Sequence, residues 1–192
     1  MRVAIIGTSG SGKSTLARRL ADRLGSAPVE LDALNWGPGW LDRSKVDSAE
    51  LVRRVDAAIA RETWVTDGNY GVALPRIFRR ATDAIWLDYD RWVVMQRVVR
   101  RSVTRSLSGG ELWAGTGNTE DWRRWLAKDH PIRWAWDTHL SRRARFEAMF
   151  ADPQLAHLKV HRLRRPGEAK ALIECLTRQS IGGSSPARGT AG

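Results

Sequence analysis

The sequence predicts an α/β fold, a parallel sheet covered by helices on both faces. Three observations carry that reading. Short apolar runs alternate with segments of helical periodicity along the chain. A glycine-rich turn, Gly7 to Ser14, joins the first run to the first helix. The 192 residues suit one domain able to bury a core without disulfides, and the single cysteine, Cys175, has no partner in the chain.

The elements follow in order. Val3 to Ile6 is a short apolar run ending in glycine, as a buried parallel strand does. Residues 13–24 place Leu16, Leu20 and Leu24 on one helical face, and Val29 to Leu31 forms a second strand. Asp47 to Arg61 is amphipathic, with Leu51, Val55 and Ile59 at helical spacing. Trp64 to Thr66 is a third strand, closing on Asp67-Gly68, and Pro75 suits the first turn of a short helix ending near Arg80. Ala84 to Leu87 is a fourth strand, and Asp90 caps a long helix from Arg91 to about Leu107. Residues 108–118, SGGELWAGTGN, lack periodicity and read as a mobile loop. Helices are expected at 120–128 and, after Pro131, at 132–150. Leu158 to Val160 is a fifth strand, Pro166 opens a last helix to about Arg178, and the polar tail from Ser180 is expected to be disordered.

The formal charge is +11, and it comes from 27 Arg against 5 Lys. Arginine pairs with phosphate in a bidentate way that lysine cannot. Residues 91–145 hold eleven Arg and one Lys against five acids, a local excess of seven positive charges. An anionic partner is implied, although charge alone does not separate a nucleotide from a nucleic acid, and part of the excess is of a kind that exposed helices accept freely. No run is long enough for a signal core or a membrane span, so a soluble cytoplasmic protein in a reducing compartment is expected.

Gly7-Thr8-Ser9-Gly10-Ser11-Gly12-Lys13-Ser14 matches G-x-x-x-x-G-K-[ST] in full, between a strand and a helix where its mechanism needs it. The glycines let backbone N–H groups converge on phosphate, and the helix adds its positive end. Lys13 is expected to reach the β- and γ-phosphates of ATP, Ser14 to ligate Mg2+, and Thr15 to hold the α-phosphate. A GTPase would carry Asn-Lys-x-Asp, and no lysine follows an asparagine here; a large ATPase would need more chain. A small kinase remains.

Leu31-Asp32-Ala-Leu-Asn-Trp36 after the second strand, Asp67-Gly-Asn69-Tyr70-Gly71 after the third, and the Arg-rich helix after the fourth extend the pattern. With the P-loop they resemble the adenylate-kinase-like P-loop kinases, most closely the subgroup labelled "topology modulation protein" or FlaR-like, over residues 1–178. The resemblance implies the P-loop NTPase three-layer α/β/α fold, a five-stranded parallel sheet of order 2-3-1-4-5 and a small helical lid. It further implies an acceptor-binding region at 32–62, a lid at about 102–130 and a disordered tail at 179–192. Asp88, Arg97 and Arg101 reproduce that family's spacing from the fourth strand to a pair of phosphate-clamping arginines, and helical geometry puts Arg97 and Arg101 on one side of their helix. A solvated basic face is the alternative for both.

Asp67, at the end of a strand beside the P-loop strand, is a candidate to hold a magnesium-bound water. Asp32 is a candidate to orient the acceptor, to act as base toward its hydroxyl, or to touch the metal shell; a loop cap is its plain alternative. The family's adenylate kinases carry Asp-Gly-Phe-Pro-Arg after strand three, and Gly71 stands here where that AMP-binding arginine would be. Arg43 and Arg76 are candidates to replace it, beside Trp36, Asn69 and Tyr70 as acceptor contacts. Trp36 and Trp40 offer indoles to stack on a ring, Trp113 lies in the lid, and Trp122, Trp125, Trp134 and Trp136 read as helix packing. Asp137, Arg133 and the pair Arg142-Arg143 fall near that family's lid-side arginines. His130, His139, His157 and His161 show no metal-ligand spacing. The expected activity is transfer of the γ-phosphate of ATP to a nucleotide, nucleoside or other small hydroxyl compound. The alternative is a nucleic-acid-binding protein, modulating DNA topology, with a regulatory P-loop, although no recognised nucleic-acid motif is visible.

Overall fold

The computed structural model describes residues 1–125, 127 and 130–182. Seven strands and eight α-helices are named here in chain order. The chain runs β1 (Arg2–Gly7), α1 (Lys13–Arg23), β2 (Pro28–Glu30) and α2 (Leu31–Asn35), then β3 (Trp36–Gly37), β4 (Leu41–Asp42), α3 (Arg43–Val46) and α4 (Ser48–Ala58). It continues through β5 (Trp64–Asp67), α5 (Leu74–Arg80), β6 (Asp83–Leu87), α6 (Arg91–Ser108), α7 (Pro131–Phe150), β7 (Lys159–Leu163) and α8 (Glu168–Gly182).

Five strands form one parallel sheet in the order β2-β5-β1-β6-β7. Counted within that sheet alone, the order is the expected 2-3-1-4-5. The two-residue strands β3 and β4 make a separate antiparallel ribbon that periodicity did not foretell. The central strands are apolar on both faces because both are covered: Val3 and Ile5 face one core with Leu16, Leu20 and Val98, while Ala4 and Ile6 face the other with Leu51, Val55 and Phe78. Pairing of Ile5 with Asp67 and of Gly7 with Leu87 ends β5, β1 and β6 along one edge, where ligands gather in open α/β sheets.

Helix starts follow the chemistry of their caps. The carboxylates of Asp47 and Asp90 accept backbone N–H groups of Glu50 and Trp92, and Pro131 begins α7 without a forfeited hydrogen bond. The expected helix at 120–128 is only a 3-10 turn, Trp122–Arg124; Leu126, Lys128 and Asp129 lie outside the described residues. In residues 108–118, expected to be a mobile loop, Glu111 bridges to Thr119 and its carboxylate accepts from Gly117 N–H. α8 runs on to Gly182, four residues past the expected end; the rest of the expected disordered tail, 183–192, lies outside the described residues. Among the described residues no helix is long and apolar enough to cross a membrane.

Helix α7 reaches the sheet through Phe146, which is buried and lies edge-on to Trp86 with ring centroids 5.8 Å apart. That contact anchors the helix whose other side chains face the cleft described next. Phe146→Ala removes a buried ring and leaves a cavity, with an expected cost of about 3–5 kcal/mol in chemical denaturation.

Candidate active site

A cleft of about 1890 Å³ opens along the carboxyl edge of the sheet. Its floor is the P-loop. Ser11 N–H donates to Thr8 C=O at 3.1 Å, curling the loop, and the Lys13 ammonium donates to the same carbonyl at 3.1 Å. No side chain caps α1, so its first N–H groups stay directed at the loop. Ser9 to Thr15 line the cleft, while Gly7 and Thr8 form the root behind them.

Burial pulls the Lys13 ammonium down to about 8, opposed by the charges of Asp32 and Asp67. Burial pushes Asp67 up to about 6, against the hydrogen bond from Ser14 and the charge of Lys13. The Ser14 hydroxyl donates to Asp67 Oδ2 at 2.5 Å, while Asp67 Oδ1 is buried with no hydrogen-bond partner. A hydroxyl and a carboxylate with an orphaned oxygen form a hard-oxygen donor pair of the kind Mg2+ takes, so these residues fit that ion. Among the described residues no cluster of three or more His, Cys, Asp or Glu side chains suits a metal.

Arg97 and Arg101 belong to the cleft and not to a solvated face. Arg97 donates to Ser11 C=O at 2.9 Å and sits 5.3 Å over the Tyr89 ring. Arg101 donates to Ser9 Oγ at 3.1 Å, its Nε is buried without a partner, and burial followed by the nearby Arg105 pulls its guanidinium down to about 10. The opposite bank carries Asp32. The Tyr70 hydroxyl donates to Asp32 Oδ1 at 2.7 Å, and burial and the Asp32 charge hold that phenol protonated far above its ordinary range.

Arg142 of α7 was one of several candidates in its segment, and it alone of them lines the cleft. It lies 5.4 Å over the Trp134 ring, and no carboxylate pairs with it among the described residues. Burial, then Arg145, lowers its guanidinium from the usual value. Its neighbours go elsewhere: Arg143 and Arg162 both bind the buried Asp88 at 2.7 Å, and Arg133 pairs with Asp137 at 2.7 Å. Spacing did not choose between Arg142 and Arg143: adjacent residues on a helix point about 100° apart, and α7 buries only Ala135, His139 and Phe146, too few to mark its inner face in the sequence.

Three proposed acceptor contacts need correction. Arg43 donates to Asn35 C=O at 3.0 Å and packs over Gly37, so it braces the ribbon and does not line the cleft. Arg76 pairs with Asp56 at 2.7 Å on the outer face, also away from the cleft. Asn69 does line the cleft, yet its amide is taken by the backbone of Gly7. Trp36 stands where expected, with Trp40 and Trp113 around it: Trp36 and Trp113 stack at 6.0 Å, and Trp40 meets both edge-on. Asn118 locks that joint, accepting from Trp40 N–H at 3.0 Å and donating to Gly37 C=O at 2.9 Å. Trp122, Trp134 and Trp136, expected in helix packing, are all substantially exposed; Trp134 lines the cleft, and Trp136 packs on Trp92 beneath Arg91. The four histidines serve as hydrogen-bond partners: His139 to Tyr89 C=O, His157 to Phe78 C=O, His161 to Asp83 and His130 to Glu120.

No protein-family profile and no curated protein matches the chain. Solved structures do match its fold. The chain is similar to the shikimate kinase of Acinetobacter baumannii, solved in complex with shikimate, at a TM-score of 0.56 and 16% identity over 96% of this chain and 95% of that one. A shikimate kinase from Bacteroides thetaiotaomicron matches at 0.54 and 13% identity, over 93% of this chain and 97% of that one. An unliganded sugar kinase from a Janibacter species matches at 0.52 and 20% identity, over 92% of each chain. The chain therefore shares the α/β fold of these structures.

The two shifted groups define a pH window. Lys13 is cationic below about 8 and Asp67 anionic above about 6. Affinity for magnesium ATP is expected to peak between them. It falls above pH 8, where binding must take up a proton at Lys13, and below pH 6, where Asp67 must release one. Calorimetry in buffers of different ionisation enthalpy checks both the bell shape and the sign of proton exchange.

Proposed function

We propose that this protein is an ATP-dependent phosphotransferase acting on a small acceptor with a free hydroxyl. One observation carries the reading: the P-loop cations, the Ser14–Asp67 oxygen pair and the Asp32 carboxylate line a single cleft, with Asp32 and Asp67 both close enough to Lys13 to favour its charge. One bank suits a polyphosphate and the other an attacking alcohol.

In this reading ATP lies on residues 9–15, with Lys13, Arg97 and Arg101 around its β- and γ-phosphates. Ser14 and Asp67 would hold Mg2+, directly or through water, and the ion when bound would offset phosphate charge. The acceptor oxygen bonds to the γ-phosphorus while the bond from that phosphorus to the β–γ bridging oxygen breaks. Its proton passes to Asp32, whose Oδ1 is held by Tyr70, leaving Oδ2 for the acceptor. The segment 109–125 acts as the lid, excluding water from the transfer.

The acceptor carries an anionic group beside its hydroxyl, in support of which Arg142 lines the acceptor half of the cleft without a carboxylate of its own among the described residues. A cyclic hydroxy acid such as shikimate, named for the similar structures, has that chemistry, and so does a nucleotide. A nucleotide acceptor would place its phosphate at Arg142, since Arg43 and Arg76 are engaged elsewhere. The nucleic-acid alternative loses its main support. Of the arginines in 91–145, Arg97, Arg101, Arg105 and Arg142 line the cleft, while Arg133 and Arg143 are paired with acids.

A transfer assay with γ-labelled ATP and Mg2+, across nucleosides, nucleotides, sugars and hydroxy acids, tests the proposal. One acceptor class should yield labelled product. Lys13→Ala should lower kcat by at least about a hundredfold. Asp32→Asn should cut transfer by about 10²–10⁴-fold while ATP affinity changes little. No transfer to any acceptor, with sequence-specific DNA binding that persists at physiological salt in Lys13→Ala, would sink it in favour of the alternative.

A further inference from the structure

Gly7 is both the last residue of β1 and the first of the P-loop. Alternate residues of a strand turn their backbone groups toward alternate neighbours. Ile5 faces β5, because its C=O accepts Gly68 N–H at 3.3 Å, so Gly7 faces the same side. Strand β5, however, ends at Asp67. The chain swings away at Gly68, which has φ 143° and lies so close to Leu31 that a Cβ would come within 2.7 Å of it. Backbone that would have paired with Gly7 is gone.

The side chain of Asn69 occupies that place. Its Oδ1 accepts Gly7 N–H at 3.2 Å and its Nδ2 donates to Gly7 C=O at 2.5 Å. A primary amide carries the donor and acceptor of a peptide group, so one side chain adds the next rung of the parallel ladder. Gly7 itself has φ 150°, and a Cβ there would meet Leu87 C=O at 2.8 Å. The direction in which the P-loop leaves the sheet is set at this residue.

We infer that Asn69 is a positioning residue for the P-loop, its amide standing in for a strand and fixing the backbone of Gly7 from which residues 8–14 are launched. The functional consequence rests on the ATP-binding role proposed above; the geometric claim does not. The amide is required as such. Aspartate has the same shape but no donor, and it sets a carboxylate oxygen against the Gly7 carbonyl. Leucine offers neither group.

The test uses the full chain with Asn69→Asp and Asn69→Leu. Amide exchange by NMR, without nucleotide, should rise at least tenfold across residues 7–12 in both, with exchange in β6 and the thermal midpoint held near wild type. Affinity for magnesium ATP should fall about tenfold. Unchanged exchange at 7–12 in a folded variant overturns the inference, as does a uniform rise across β1, β6 and the core, which would mark Asn69 as a residue of general stability. If a variant fails to fold, Asn69→Ser, retaining a hydroxyl at the same branch, is judged by the same exchange criterion. A wild-type protein that does not bind magnesium ATP would end the proposed function, and the exchange measurement would still decide the role of Asn69.

Discussion

The parallel pairing of β1 with β5 is the constraint on which the cleft depends. It sets Ile5 opposite Asp67, so β5 ends two residues before β1 and the residues after Asp67 lie beside the root of the P-loop. From β1 the P-loop emerges. From β5 come Asp67, Asn69 and Tyr70, whose side chains reach Ser14, Gly7 and Asp32 in turn. A register slip of one residue would turn the strand's side chains to the opposite face, separating all three contacts together. A short run of sequence thereby reaches the helix start, the loop root and the Asp32 carboxylate.

Cation burial is the second theme. Lys13, Arg101 and Arg142 are withdrawn from water more deeply than carboxylates in the cleft can balance, and burial is the leading cause that lowers each. Burying charge without a partner is costly. The fold sustains it with local devices: Thr8 C=O for Lys13, Ser9 Oγ for Arg101 and the Trp134 ring for Arg142. None of these neutralises the charge. A polyanion, the ligand proposed for this cleft, would restore what burial took away.

The strands and the P-loop were legible because each has a local cause, an apolar run or a glycine pattern; the strand order came from the family resemblance. Arg97 and Arg101 were found from the family spacing counted from Asp88, and helical geometry put both on one side of α6. What escaped was fixed by contacts distant in sequence. The ribbon β3–β4 is four residues long and has no periodicity to read; Asn35, Arg43 and Asn118 hold it. Arg76 reads as a cleft arginine until Asp56 of α4 is seen beside it. Asn69 reads as an acceptor contact because its motif neighbours face the cleft, and only the early end of β5 shows why its amide is claimed by Gly7.

The same reasoning explains the acceptor wall. Trp36 and Trp40 come from the ribbon, Trp113 from the segment after α6, and Arg142 from α7. Asn118 is almost fully buried where it bonds Gly37 and Trp40, so its polar groups are satisfied only while that segment stays on the ribbon. Lifting the segment would part Trp113 from Trp36 and Trp40 and break both hydrogen bonds of the Asn118 side chain. Arg97 and Arg101 bond to the P-loop itself, and the Glu120 carboxylate of the segment lies near enough to Arg101 to favour its charge. In the proposed reaction the wall that would meet the acceptor and the segment that would exclude water are one body, tied by Asn118 to the ribbon and by the charge of Glu120 to Arg101.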